Sequence, residues 1–235
     1  MFTGDGGFSF VGMSARLSIT EENYLKAIYK LTEHDANGAS TNAIAGELQT
    51  RAASVTDMIK KLAGKTLVDY RKYQGVTLTE NGRLTALSII RRHRLWEVFL
   101  VQKLNFGWDE IHHIAEELEH VSEPMLIQRL DDYLGNPTAD PHGDLIPSAH
   151  GEMPQTDQIL LNRLQPGESG MVIAVFEHDP RFLQYLDQVN LNLGKTIAVV
   201  QRFEFDGSMN IRFTDGRELV VSQTVSSSIF VKKDA

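Results

Sequence analysis

The stretch Arg91–Val121, RRHRLWEVFLVQKLNFGWDEIHHIAEELEHV, crowds together six side chains with metal-ligating chemistry: His93, Glu97, His112, Glu116, Glu119 and His120. Asn105 and Gly107 interrupt its apolar periodicity, and Asp109 stands where a helix N-cap would. The pattern predicts two helices joined by a short turn. On the first, His93 and Glu97 are one turn apart on one face. On the second, His112, Glu116, Glu119 and His120 fall within an arc of about 100° at helical periodicity. Carboxylates and imidazoles converging in that way repel or go unpaired unless a cation lies among them. Carboxylate oxygen with neutral imidazole suits a first-row divalent ion.

Other readings compete. A helix face rich in Glu and His is often only a solvated face. No H-E-x-x-H occurs, which argues against a zinc protease. Two E-x-x-H steps, Glu110–His113 and Glu117–His120, raise a di-iron carboxylate enzyme as the alternative function. Such enzymes place the two motifs on different helices, whereas here one helix would carry both.

The composition is that of a soluble globular protein: 235 residues, 42% hydrophobic and 23% charged. That length predicts two domains or three small ones. No apolar run reaches the ~18 residues of a membrane span, so no membrane partner is expected. The opening MFTGDGGFSFVGMSAR has neither a basic n-region nor an apolar core, so residues 1–15 read as a flexible extension, not a signal peptide. Zero cysteines excludes disulfides and thiolate sites and fits a cytoplasmic location. The net charge of −8 is unevenly spread: residues 51–95 carry ten Lys/Arg against three Asp/Glu, and residues 96–160 carry two against thirteen. The first segment is fit to sit on phosphates and the second to hold cations.

The elements that would position these residues can be read in order. Ser18-x-x-Glu21 is a capping box opening a helix whose inner stripe is Tyr24, Ala27, Ile28 and Leu31. Asn23, off that stripe, reads as solvated. Ser40/Thr41 cap a short second helix, and a tight turn leads to a third with Val55, Ile59 and Leu62 inward, the pattern of a helix-turn-helix. LVDYRKYQGVTLT then predicts a hairpin, which completes a winged helix at 16–86. Arg51, Ser54, Thr56, Asp57 and Lys60 around the third helix, with Arg71 and Lys72 near the hairpin tip, are the candidate DNA contacts.

Thr79 caps the long helix carrying His93 and Glu97, which opens a helical segment at 87–150. After the second ligand helix, Pro124 begins another, with Met125, Leu126, Leu130 and Leu134 apolar. That surface exceeds what one small domain hides, which predicts a dimer interface. Prolines and glycines mark 136–158 as a linker. The remaining residues, 159–235, alternate as short strands with one helix capped by Asp179, a small β-barrel. His178 by itself reads as a surface residue. The fold class is therefore α+β.

By TEENYLKAIYKL, the winged helix-turn-helix, RHRLWE, IHHIAEELEHV and PHGDLIP, the chain resembles the diphtheria-toxin-repressor and manganese-transport-regulator family across 16–235. The resemblance implies a C-terminal SH3-like, FeoA-like domain. It also implies a homodimeric, cytoplasmic transcription regulator that senses Mn(II) or Fe(II) and represses metal-uptake genes at a palindromic double-stranded operator. It implies a main metal site of Asn23, Glu116, Glu119 and His120. An ancillary site would combine His93, Glu97 and His112 with a barrel ligand at His178 or Asp179. Asn23 stands where relatives use Met or Asp, and Arg181 where the diphtheria-type repressors have a Gln ligand. With three oxygen donors and one nitrogen in the main site, Mn(II) is the expected metal.

Overall fold

The capping box forms as the sequence requires. Ser18 Oγ accepts from the Glu21 N–H at 3.3 Å, and the Glu21 carboxylate accepts from the Ser18 N–H at 2.8 Å. It opens α1 (Ile19–Thr32), followed by α2 (Thr41–Glu47), α3 (Ala52–Gly64), β1 (Val68–Arg71) and β2 (Gly75–Leu78). This is a computed structural model, and it describes residues 17–33, 38–71 and 75–234. The extension at 1–15 and Lys72 lie outside the described residues. Two compact units divide at Arg83/Leu84.

In the first unit the expected apolar stripes meet: Leu25, Ile28, Ile44, Val55, Ile59, Leu62 and Val76 are fully or almost fully buried. Each such side chain contributes about 1.5–3 kcal/mol on burial. β1 and β2 pair antiparallel from Val68↔Leu78 to Arg71↔Gly75, forming the wing. Thr79 Oγ1 accepts from the Gly82 N–H at 3.1 Å and so caps α4 (Glu80–Leu104), which runs on into the second unit. Gly82 is required there, because a Cβ would lie 1.9 Å from the Leu67 carbonyl oxygen.

The second unit continues with α5 (His112–Leu118) and α6 (Pro124–Tyr133). Asn105, at φ 58°, ends α4 in the left-handed conformation that Asn tolerates, and Phe106 N–H closes onto the Leu100 carbonyl. Two small apolar clusters hold these helices, one of Leu95, Val98, Leu130 and Ile146, the other of Leu100, Ile111 and Ala115. After them come β3 (Gln158–Leu160), β4 (Ser169–Val175), α7 (Pro180–Gln188), β5 (Thr196–Arg202), β6 (Met209–Phe213), β7 (Glu218–Val221), α8 (Gln223–Ser226) and β8 (Ile229–Lys233). The six strands form one antiparallel sheet in the order β3-β8-β4-β5-β6-β7. Bulges at Val172/Ala174 and Val199/Gln201 bend it around one core that includes Val172, Leu183, Ile197, Ile211 and Val231.

Two expectations about secondary structure need correction. Asp109 caps nothing: α5 begins only after Ile111, and Asp109 accepts from Gln184 of α7 at 2.8 Å. The segment 136–158 is no free linker, since Asp140, His142 and Ile146 within it are buried. Gly143, at φ 88°, lets this segment lie flat on β4, where a Cβ would meet the Ile173 carbonyl oxygen at 2.0 Å. Val175 N–H then donates to the His142 carbonyl at 2.9 Å, which fixes His142 against the sheet.

Candidate metal centre and nucleic-acid interface

The first metal cluster is built by α4 and α5. One turn apart on α4, His93 Nε2 and Glu97 Oε1 are 3.0 Å apart, and His112 at the start of α5 brings Nδ1 to 3.5 Å from the same oxygen. The three offer ligand atoms that all lie within 4.8 Å of one another, as do those of Glu97, Asp140 and His142. Glu97 belongs to both groups: Oε1 faces His93 and His112, and Oε2 lies 3.7 Å from His142 Nδ1. Asp140 and His142 are the candidate ligands that sequence reasoning missed. Asp140 directly precedes PHGDLIP, which contains His142 and whose glycine marks a close approach of backbone to backbone.

Electrostatics shows what this cluster lacks. Burial alone would raise the Glu97 carboxyl, but His93, His112 and His142 outweigh it and hold it well below the usual range. Asp140 goes the other way: burial, then the charges of Glu97 and Asp144, push its carboxyl well up. For His142, burial lowers the pKa but Glu97 more than compensates, so the net shift is upward. His178 is pressed down to about 4 by burial and by His142. Three buried atoms, His112 Nδ1, His142 Nδ1 and Asp140 Oδ2, have no hydrogen-bond partner. Buried lone pairs and N–H groups without partners are unfavourable by about 1–3 kcal/mol each. A divalent cation in either ligand group would satisfy the orphaned atoms of that group, so the donor set fits the metal that the resemblance implies.

His178 is no surface residue. Its ring stacks on His142 with centroids 4.3 Å apart and lies 5.9 Å from that of His112. The barrel thus brings His178 to the cluster, although its Nε2 is turned toward the Val175 carbonyl at 3.3 Å and Asp144 at 3.8 Å. Asp179 is taken up otherwise: it accepts from the Arg181 N–H and binds the Arg181 guanidinium at 2.7 Å. Arg181 itself points to solvent.

The expected main-site residues are not gathered in the same way. α5 ends at Leu118; Glu119 follows as its C-cap, still in the α-helical conformation, and His120 comes next. Glu119 is fully buried and turned to His93, whose Nδ1 lies 2.7 Å from Oε2. His120 Nε2 is 3.9 Å from Glu119 Oε1, and Glu116 Oε1 is 3.7 Å from His112 Nε2. Asn23 belongs to α1 of the first unit. Among the described residues Glu116, Glu119 and His120 form no ligand triad of their own. Glu110, His113 and Glu117 are outside both triads, so the two E-x-x-H steps do not assemble.

The first unit presents a polar helix. Val55, Ile59 and Leu62 face the core, leaving Arg51, Ser54, Thr56, Asp57 and Lys60 exposed along the other side of α3. Arg71, at the end of β1, is exposed as well. The excess of basic residues in 51–95 is partly spent on structure. Lys61 and Lys65 pair with the buried Glu21 at 3.4 and 2.6 Å. In the second unit Arg91 binds Asp131, Arg92 the Glu119 carbonyl, and Arg94 Asp144. The charge available to phosphates is therefore smaller than the sequence count; among the described residues it lies at Arg51, at Arg71 and at Lys60, which is itself 3.3 Å from Asp57.

Comparison with known proteins agrees with this reading. Residues 16–76 match the family model described as the iron dependent repressor N-terminal DNA binding domain, 79–148 its metal binding and dimerisation domain, and 159–233 the FeoA domain. The iron-dependent repressor IdeR of Mycobacterium tuberculosis is 32% identical over 160 residues, 66% of this chain and 69% of that one. The regulator MntR of Oceanobacillus iheyensis is 34% identical over 47% of this chain and 74% of its own. Among solved structures, a manganese-dependent transcriptional repressor in complex with manganese superposes with a TM-score of 0.84 at 36% identity, covering 91% of this chain and 99% of that one. The chain therefore belongs to the iron-dependent repressor family.

Proposed function

We propose that this protein is a metal-dependent transcriptional repressor that binds operator DNA through α3 and the wing when a divalent metal is loaded. The observation that carries the metal half is the set of buried ligand atoms around Glu97 left without a hydrogen bond. An ion bound there supplies the positive charge that the imidazoles and carboxylates of α4 and α5 lack. The family consists of repressors, not enzymes, and the di-iron alternative is not favoured.

The finer assignments are these. The ancillary ligands are His93, Glu97 and His112, with His178 as the barrel residue beside them. The main ligands are Glu116, Glu119 and His120 with Asn23. Oxygen-rich ligands favour Mn(II), with Fe(II) as the other candidate. Arg51, Lys60, Arg71 and Lys72 act on phosphates, and Ser54, Thr56 and Asp57 are placed to reach base edges. The division into 16–86, 87–150 and 159–235 gives these parts their roles.

Met125, Leu126 and Tyr133 of α6, with Leu104 and Val121, are exposed apolar residues that support a homodimer. A two-fold dimer calls for a palindromic operator. No helix among the described residues is long and apolar enough to cross a membrane, which fits a regulator of metal-uptake genes working in the cytoplasm. The test is a gel shift on palindromic DNA, titrated separately with Mn(II), Fe(II), Zn(II) and chelator. Specific binding that survives chelation would sink the metal switch.

A further inference from the structure

We propose that Asp57 sets the sequence preference of α3 by accepting a hydrogen bond from the exocyclic amine of a cytosine in the major groove. The inference deepens the repressor reading above and rests on it. Helical geometry places the residue. Val55, Ile59 and Leu62 face the core, and at about 100° per residue Asp57 falls opposite them, at the centre of the outer face. Ala53, one turn earlier on that face, is exposed and carries only a methyl, so no long side chain shields the carboxylate on that side.

Nothing in the fold calls for a carboxylate at this position. Asp57 lies beyond the first turn of α3, so it neither caps the helix nor meets its dipole, and aspartate is a weak helix former. Among the described residues its partner is Lys60, at 3.3 Å, in a pair in which Asp57 is 81% and Lys60 73% exposed. Such pairs contribute little to stability. A negative charge at the centre of a surface that meets phosphates also opposes binding to any DNA. It is compensated only where a base offers it a donor.

Major-groove chemistry selects the base. An ionised aspartate only accepts hydrogen bonds. Guanine shows N7 and O6 and thymine O4, all acceptors that repel it. The amine of adenine stands beside its own N7 acceptor, whereas cytosine shows its N4 amine with no acceptor of its own. The Ser54 hydroxyl can donate or accept, and Thr56 Oγ1 already donates to the Ala52 carbonyl at 3.1 Å, so neither imposes that choice. Asp57 therefore acts as much by rejecting the other bases as by binding cytosine.

The test selects double-stranded DNA from a random-sequence pool with the full chain loaded with Mn(II), and sequences what the wild type, Asp57→Ala and Asp57→Asn each retain. Circular dichroism checks that both variants fold. The wild type is expected to require a C·G pair at one position that Asp57→Ala leaves open to every pair, with the other preferences kept. Asp57→Asn should move that position toward A·T, because an amide pairs with N6 and N7 of adenine. Exchanging the C·G pair should weaken the wild type about 5- to 150-fold and barely affect Asp57→Ala. On unselected DNA, Asp57→Ala should bind more tightly than the wild type. Identical selected sequences for the wild type and Asp57→Ala, or a change at a position that is not C·G, would overturn the assignment and leave a metal-dependent repressor standing. A wild type that enriches no sequence overturns the repressor reading as well.

Discussion

Nδ1 of His93 lies 2.7 Å from Oε2 of Glu119, and Nε2 of the same ring lies 3.0 Å from Glu97. One imidazole therefore joins a proposed main-site ligand to the ancillary cluster. A metal that takes either of those two oxygens changes what the ring is bonded to. The two sites are expected to be energetically coupled. Metal titrations of His93→Ala, Glu119→Ala and the double variant should show non-additivity of about 0.5–3 kcal/mol. Additive effects would mean that the sites fill independently.

Removing either main-site ligand should abolish metal-dependent operator binding, whereas His93→Ala weakens it only in part. The structural cost differs between the two. Glu119 is fully buried against His93, so Glu119→Ala should also lower the stability of the metal-free protein by about 1–3 kcal/mol, because His93 loses its partner. His120 is partly buried, with Nε2 3.9 Å from Glu119, so His120→Ala should lower the melting temperature of the metal-free protein by less than Glu119→Ala does. A Glu119→Ala protein that answers to metal at wild-type concentration would remove it from the ligand set.

DNA affinity should fall steeply with salt, with a log–log slope of about −0.9 for each phosphate neutralised. Lys60→Ala and Arg71→Ala should each reduce that slope by about one unit, uniformly across sequences. Lys61 and Lys65 are held by Glu21, so their replacement should disturb folding more than the salt slope. Affinity measured between low and physiological salt distinguishes the two pairs.

Glu21 gives the first unit a pH dependence. Burial would raise its carboxyl, but the Lys65 ammonium, the Ser18 N–H and Lys61 outweigh burial and hold it at about 2, against an ordinary value of 4.5. A depressed native pKa means that ionised Glu21 stabilises the fold above pH 4.5, and that this is lost as pH falls toward 2. With chelator present, thermal unfolding of Glu21→Gln should start from a lower melting temperature at neutral pH. Its further decline across that acid window should be shallower than the wild type's. Parallel curves would show that Glu21 is not the group responsible.

Replacing Glu116 by Cys exchanges a hard oxygen for a soft sulfur. The half-maximal metal concentration for operator binding should shift in favour of Fe(II) and Co(II) over Mn(II). In the wild type, Zn(II) is expected to bind without full activation, because raw affinity follows the Irving–Williams order and activation depends on geometry. Anaerobic titrations of both proteins check this, and an unchanged Mn(II) preference in Glu116→Cys would defeat the ligand-softness argument.

Local rules sufficed for much of this molecule. The Ser18–Glu21 box, the Asp179 cap, the inner stripe of α3 and the glycine turns at Gly207 and Gly216 are decided within a few residues of chain, so they were legible directly. His93 and Glu97 were equally legible, since helical spacing puts them on one face whatever surrounds them. Composition said less than it seemed to. Arg91, Arg92 and Arg94 counted toward a basic segment, yet they bind partners 27 to 56 residues away. Where α5 stops was also out of reach, because no glycine or proline follows Leu118 directly. Asp140, His142 and His178 join the cluster only because Gly143 lies against β4 and α7 is fastened to Trp108 through Asp187, at 2.9 Å. Spacing along α4 put His93 and Glu97 together, and long-range packing on the sheet brought Asp140, His142 and His178 to them.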